Sequence, residues 1–261
     1  KFPKIEKSIK IFLYEKSDLL INVQKKKLKD FQVKWIKDFD IIKKGPIIFF
    51  GNEFFDAIPI KQFIKKKDTL LEKYYLINSN TDINESFQKA KISDLKRVKS
   101  FKVLKTLKFI EFPKLGLLEL DKVIKKIKKL SGGILLIDYG YLDALNTSTL
   151  QAVMKNKKMS MKNLLSNLGN ADITSLVNFG LLKEYFFKNK LKVKKIVSQK
   201  FFLEKMGIIS RAKILEKNMT SKQKDYMSLT LRRLLHKESM GQLFKVIFAF
   251  KAKNDNFLGF K

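Results

Sequence analysis

Hydrophobic and polar positions follow one another along this chain in two rhythms, and the switching between them predicts an α/β protein. Ile9–Glu15 reads as a short strand ending on an acid, and Leu19–Leu28 as a helix with lysines on its outer face. Val33–Ile36 is a second short strand and carries the sole tryptophan, Trp35. Gly45 and Pro46 punctuate the chain, and the apolar run Ile47–Phe50 then predicts a strand buried on both faces. Ile58–Phe63 and Leu70–Ile77 flank Lys65-Lys66-Lys67-Asp68, which is the pattern of a β-hairpin. Asn78–Ser100 is polar and mixed and predicts no firm element, whereas Phe101–Phe112 contains a further strand of the same excursion.

The second half is clearer. Leu120, Val123, Ile124, Ile127 and Leu130 fall at helical spacing, and Ser131-Gly132-Gly133 stops that helix. Ile134–Ile137 is another buried strand, ending in Asp138-Tyr139-Gly140. Strand, helix and strand joined by short turns imply a parallel sheet. Asn146–Gly169, rich in Met and Asn, reads as a helical insertion. Ile173–Asn189 is a helix, Leu191–Val197 a strand, Lys200–Lys217 a helix broken at Gly207, Ser221–Lys237 a helix and Gln242–Lys251 the final strand. No internal repeat and no Pro/Gly/Ser linker divides the chain. The expectation is one α/β domain over residues 1–261, with insertions near 60–115 and 141–170.

Composition narrows the chemistry. The 261 residues include no cysteine and one histidine, His236. A disulfide scaffold, a thiolate metal site, a cysteine nucleophile and a multi-histidine metal site are thereby excluded. Apolar runs such as Ile47–Phe50 and Val246–Phe250 fall far short of the ~20 residues of a membrane helix, so no membrane insertion is expected. The 56 basic residues against 25 acidic ones give a net charge of +31, which points first toward nucleic acid or an anionic surface. Only Arg97, Arg211, Arg232 and Arg233 are arginines, however, and the lysines are spread over the whole length. Specific nucleic-acid readers favour arginine for bidentate contacts. The charge therefore reads as compositional bias, giving weak, salt-sensitive polyanion binding and no specific nucleic-acid partner.

In a chain short of acids, where the acids fall is informative. Asn52, Glu53 and Asp56 crowd the turn after Ile47–Phe50, and Asp138 and Tyr139 follow Ile134–Ile137. Glu15 after Ile9–Tyr14 is a weaker third case. Ligands of open parallel sheets sit beyond the carboxyl ends of the strands, so these are the candidate functional residues. His236, Trp35, the lysine runs at 25–27, 65–67 and 125–126, the methionines 154, 159 and 161, and the apolar strand Phe244–Phe250 read as surface or packing residues.

The stretch Gly51–Phe63, G-N-E-F-F-D-A-I-P-I-K-Q-F, closely resembles a signature of the MidA-like proteins, which include the mitochondrial complex I assembly methyltransferase and its bacterial relatives. Gly132–Gly140, Gly169–Phe179, Ser198–Arg211 and Met240–Val246 resemble further segments of that family in the same order. The resemblance implies a Rossmann-like class I S-adenosylmethionine-dependent methyltransferase fold: a mostly parallel sheet with an antiparallel last strand, plus hairpin and helical insertions. It implies S-adenosyl-L-methionine as cofactor and symmetric dimethylation of arginine in a protein substrate, a complex I (NADH dehydrogenase) subunit. The compartment would be the mitochondrial matrix in a eukaryote and the cytoplasm in a bacterium. Carried over, Glu15 binds the cofactor ribose and Asn52 lies by its methyl-bearing sulfonium. Glu53, with Asp56 second, is the catalytic carboxylate that polarises a guanidinium, while Asp138, Tyr139 and Asp172 line the substrate side. No metal is required.

The chain departs from the family in two places. The family's Gly-rich cofactor loop lies upstream of Glu15 and no G-x-G occurs here, so the first βα unit is expected to be missing, an N-terminal truncation. Leu70-Leu71-Glu72 stands where relatives often have Trp before the Glu. Two other readings stay open at this point: a non-catalytic assembly or docking protein, and a basic nucleic-acid-binding protein.

Overall fold

The first unit, Lys1–Pro46, is one βαβ turn. Strands β1 (Ile11–Tyr14) and β2 (Val33–Ile36) pair in parallel, Ile11 opposite Val33, and helix α1 (Asp18–Lys27) connects them. Ser17 caps that helix, its hydroxyl accepting from the Leu20 amide, and Asp18 in the first turn and Lys25, Lys26 and Lys27 in the last complement the helix dipole. Ile21, Ile36 and Phe39 are the unit's buried side chains. The structure is a computed structural model that describes residues 8–67, 69–77, 83–143, 145–154, 157–159 and 169–261.

The second unit, Ile47–Lys261, is built on a sheet centred on β8 (Gly132–Tyr141). Strand β3 (Ile47–Asn52) pairs with β8 in parallel, and β15 (Phe244–Lys251) runs antiparallel on β8's opposite edge. The two-residue strands β13 (Lys192–Val193) and β14 (Val197–Ser198) lie antiparallel to β15, and β12 (Val177–Asn178) is parallel to the end of β8. The last strand is therefore antiparallel in an otherwise parallel sheet, as expected. Strand β3 departs from expectation. Ile48 and Phe50 are 74% and 60% exposed, so the strand alternates rather than being buried on both faces. Its unbroken apolar run hid the alternation.

Helix α3 (Lys114–Leu130) supports this sheet. Leu117, Leu120, Val123, Ile124 and Ile127 are all buried, each worth about 1.5–3 kcal/mol of apolar burial. Lys126, expected on a solvated face, is buried among them; a lysine stem packs on apolar surface as its ammonium reaches out. Gly132 takes φ 116, and a side chain there would strike the Ile47 carbonyl at 1.8 Å, so glycine is required where α3 turns into β8.

Between β3 and α3 lies the expected hairpin excursion. Strands β4 (Lys61–Lys66) and β5 (Thr69–Ile77) pair antiparallel, and β7 (Phe109–Phe112) closes on β4. The stretch that predicted no firm element supplies β6 (Ile83–Lys89), paired along β5, and helix α2 (Ile92–Lys99). Cross-strand pairing overrides the weak propensity of I-N-E-S-F-Q-K. The second insertion corrects a sequence expectation. Its described residues form strands β9 (Gln151–Met154), β10 (Lys157–Met159) and β11 (Asp172–Thr174), not helix. Methionine favours helices, but pairing of β9 with both neighbours wins. Met161 lies outside the described residues.

The C-terminal part follows the sequence except at two places: the helix expected from Ile173 begins only at Phe179, because residues 172–174 and 177–178 pair as β11 and β12, and the strand expected over Leu191–Val197 is split into β13 and β14. Helix α4 (Phe179–Lys188) buries Phe179, Leu182 and Phe186. Helices α5 (Gln199–Lys205) and α6 (Ile208–Glu216) are separated at Gly207 (φ 83), and Thr220 and Gln223 form a capping box for α7 (Ser221–Leu235). Among the described residues no helix is long and apolar enough to cross a membrane.

Candidate active site

Parallel pairing of β3 with β8 sets Asn52 opposite Ile137, so both strands deliver their polar ends to one place. The Glu53 amide donates to the Ile137 carbonyl at 3.0 Å, and the chain then turns sharply. Glu53 itself sits at φ 47. That left-handed conformation is unfavourable for a side chain with a Cβ, and such residues cluster at functional turns. The turn directs Asn52 and Glu53 outward, where the Asn52 amide donates to Glu53 Oε1 at 3.2 Å, while Phe55 and Asp56 turn inward.

Asp138 holds this turn from below. It is 1% exposed, and its Oδ2 accepts from the amides of Phe55 (2.9 Å) and Asp56 (3.2 Å), while Oδ1 accepts from the Tyr139 amide. Both oxygens are thus used by backbone, and its work is to fix the turn. Burial and then the nearby Asp56 charge push its pKa up to about 7, against the pull of the three amides.

Asp56 and Tyr139 form the second layer. The Tyr139 hydroxyl donates to Asp56 Oδ2 at 2.5 Å. Asp56 Oδ1 is buried and has no partner. An acceptor in that position costs about 1–3 kcal/mol until a donor reaches it. Burial, with the hydrogen bond to Asp56, holds the Tyr139 phenol protonated far above its ordinary range. Its ring packs edge-on against Phe244. A third element completes the wall: the Ser175 amide donates to the Asp56 carbonyl, and the Thr174 side chain lies beside Tyr139, where it partly offsets the rise in the phenol's pKa. Gly140 allows this approach, since a Cβ there would lie 2.1 Å from the Val177 carbonyl.

The other predicted residues fall elsewhere. Asp172 is exposed on β11, two residues before Thr174, and the residue of that segment that meets the cluster is Thr174. Residues two apart share one face of a strand, so position along β11 decides between them, and the resemblance singled out the acid. Glu15 belongs to the first unit. Its carboxylate accepts from the Ser17 amide at 2.9 Å and from Gln24, whose own carbonyl accepts from the Trp35 indole. A residue the sequence reading missed is Glu111, buried on β7. It accepts from Gln62 and from the Thr149 amide and hydroxyl, and Thr149 in turn accepts from the Leu176 amide beside Thr174 and Ser175. An acid inside the apolar run F-I-E-F was the available signal.

Residues 1–197 match a family model described as "Putative S-adenosyl-L-methionine-dependent methyltransferase". The chain belongs to the MidA-like methyltransferase family. Among curated proteins it is 29% identical to the protein arginine methyltransferase NDUFAF7 homolog of Caenorhabditis elegans, covering 92% of this chain and 60% of that one. It is 23% identical to the human mitochondrial protein arginine methyltransferase NDUFAF7, over 81% of this chain and 47% of that one. The chain thus spans about half to three fifths of these relatives. Two solved structures of proteins from Burkholderia thailandensis, one described as an uncharacterized protein and the other as a likely methyl transferase, share the fold at 19% identity, with TM-scores of 0.78 and 0.76 over 96% of this chain. They are themselves covered to 68% and 66%, and the second was bound to S-adenosyl-homocysteine.

Proposed function

We propose that this chain is part of a methyltransferase that moves the methyl group of S-adenosylmethionine to an arginine side chain of a protein. The observation that carries the reading is the Asp56 carboxylate. It is buried, one oxygen is fixed by the Tyr139 hydroxyl, the other lacks a donor, and no cation neutralises it among the described residues. That arrangement suits a guanidinium N–H. Family membership and the named activity of the relatives support it.

The residues present fit such a cofactor and substrate, because a sulfonium, an ammonium, a ribose diol and a guanidinium all seek carboxylate or amide oxygens. In the first unit, Glu15 is the candidate for the ribose hydroxyls. In the second, Asn52 is the candidate beside the reacting methyl. When bound, the cofactor supplies an electrophilic methyl group. Glu53 and Asp56 hold the guanidinium so that one nitrogen lone pair is aligned for in-line displacement, and carboxylate–guanidinium pairing fixes that plane. Tyr139 orients Asp56, Asp138 fixes the turn that carries Glu53, and Asp172 is placed at the rim for substrate. Symmetric dimethylation, a complex I subunit as acceptor and a mitochondrial or bacterial cytoplasmic site of action are the finer form of the same proposal.

Thermal unfolding with and without S-adenosyl-homocysteine tests the cofactor half. Ligand at ~100 times Kd stabilises by about 2.7 kcal/mol, and Glu15→Ala is expected to remove the shift. Glu53→Gln tests the chemical half: it is expected to abolish methyl transfer to an arginine peptide and leave the ligand-induced shift in place. Undiminished transfer by Glu53→Gln would remove that residue from the mechanism.

A further inference from the structure

Three of the chain's four arginines, Arg211, Arg232 and Arg233, fall between residues 208 and 235, in helices α6 and α7. In a protein whose positive charge is otherwise almost all lysine, that clustering is not compositional drift. All three are exposed, as are Lys213, Lys217, Lys222 and Lys224, and among the described residues none of the seven forms an ion pair.

The same helices leave large apolar side chains in solvent. Helix α7 has 15 residues and buries none of them. Ile214, Tyr226 and Leu229 are 67%, 75% and 65% exposed. A groove of about 740 Å³ opens here, lined by Leu215, Met219, Gln223, Tyr226, Met227 and Thr230. Lys222, Tyr226, Leu229 and Arg233 follow one another at helical spacing, so the apolar stripe of α7 carries a cation at each end. The capping box at Thr220 shows that the sequence specifies a firm helix at this surface.

We propose that the α6–α7 groove docks an acidic amphipathic segment of a protein partner, its apolar side chains entering the groove and its carboxylates meeting Arg233, Lys222 and their neighbours. Charge chooses among the occupants. A second copy of a chain of net charge +31 would bring the same cations against these. A bilayer is flat at this scale and leaves a concave groove unfilled, whereas a helix or strand of a partner fills it with a row of side chains. Arginine adds bidentate pairing with carboxylates. The proposal does not depend on the methyl-transfer reading.

The test is fluorescence anisotropy of a labelled synthetic amphipathic peptide, a leucine stripe flanked by glutamates, titrated with the whole chain at 150 mM salt. Saturable binding is expected, weakened about tenfold by Lys222→Glu/Arg233→Glu and to a similar degree by Tyr226→Ser, which removes the aromatic side chain from the groove wall. These positions are exposed, and the paired charge reversal is balanced across the two ends of the helix dipole, so the unfolding midpoint should not move. Lys125→Glu/Lys129→Glu on the exposed face of α3 controls for bulk charge and is expected to leave binding intact. Equal weakening by that control, equal binding of the lysine version of the peptide, or no binding would overturn the proposal. So would displacement of the peptide by vesicles of anionic phospholipid, or a dimer in solution that is broken by Tyr226→Ser.

Discussion

Two groups of buried acids in the second unit have opposite surroundings. In the hairpin insertion, Asp94 is fully buried and receives Lys61 at 2.9 Å and Lys114 at 2.5 Å, while Lys61 also bridges to the buried Glu72 at 2.8 Å. Burial alone would raise the Asp94 pKa, but hydrogen bonds from Lys114 and Lys61 overcome it and hold the carboxyl below its ordinary value. At the ends of β3 and β8, Asp56 and Asp138 are as deeply placed but have no lysine or arginine among the described residues. With 56 basic residues available, the first group shows how this chain satisfies a structural acid. The second keeps its acids without cations, and such groups are candidates for binding an external one.

That contrast has a pH signature, which is the largest effect expected. The Asp138 carboxyl keeps its proton in the folded chain up to about pH 7, against an ordinary value of 3.8. Between those values the folded chain binds more protons than the unfolded one, so this group's stabilising contribution is present at low pH and is lost as pH rises toward 7. A displacement of that size corresponds to at most about 4 kcal/mol. Urea midpoints between pH 4.5 and 8 should fall with rising pH more steeply in the native chain than in Asp138→Asn. Parallel curves for the two would mean that Asp138 titrates normally.

The paired acid makes the reverse prediction. Asp94→Ala leaves Lys61 and Lys114 facing one another, and breaking a buried pair costs about 3–5 kcal/mol. Their side chains are 27% and 29% exposed, so solvent relieves part of this and about 3 kcal/mol is expected, read from chemical unfolding. Stabilisation by S-adenosyl-homocysteine should persist. A loss below about 1 kcal/mol would make the network ornamental.

Much of the second unit was legible because its elements carry their own signals. Helix α3 shows its apolar stripe, β8 its buried run and α6 its glycine break. The β9–β11 sheet and β6 were not legible, because their strand character comes from partners far along the chain. At the candidate site, the acids were found because acids are scarce. Their division of labour was hidden: nothing local to D-Y-G says that Asp138 turns under the β3 turn while Tyr139 reaches Asp56. Thr174 and Glu111 were hidden for the same reason, since their roles exist only once three separate segments meet.

Asp56→Asn tests the functional half of the contrast directly. Because Asp56 Oδ1 has no partner to lose, the folded chain should change by less than about 1 kcal/mol. Methyl transfer should fall about a hundredfold, the size seen when one preorganised electrostatic contact is removed. Loss of several kcal/mol in stability with transfer preserved would place Asp56 with Asp94 as a structural acid.

The smallest effect separates orientation from charge. Tyr139→Phe keeps the ring against Phe244 but removes the hydroxyl that fixes Asp56 Oδ2. A hydrogen bond to an ionised acceptor contributes about 1.5–3 kcal/mol, and because Asp138 still holds the turn, the expected loss is at the low end. If Tyr139 acts by orienting Asp56, the phenylalanine variant should lower transfer in the native background and do little in the Asp56→Asn background, a coupling of about 1 kcal/mol in the cycle. Additive losses would mean that the tyrosine acts on substrate by itself, and that the unpaired oxygen of Asp56 is set by the Asp138 clamp and the Ser175 amide alone.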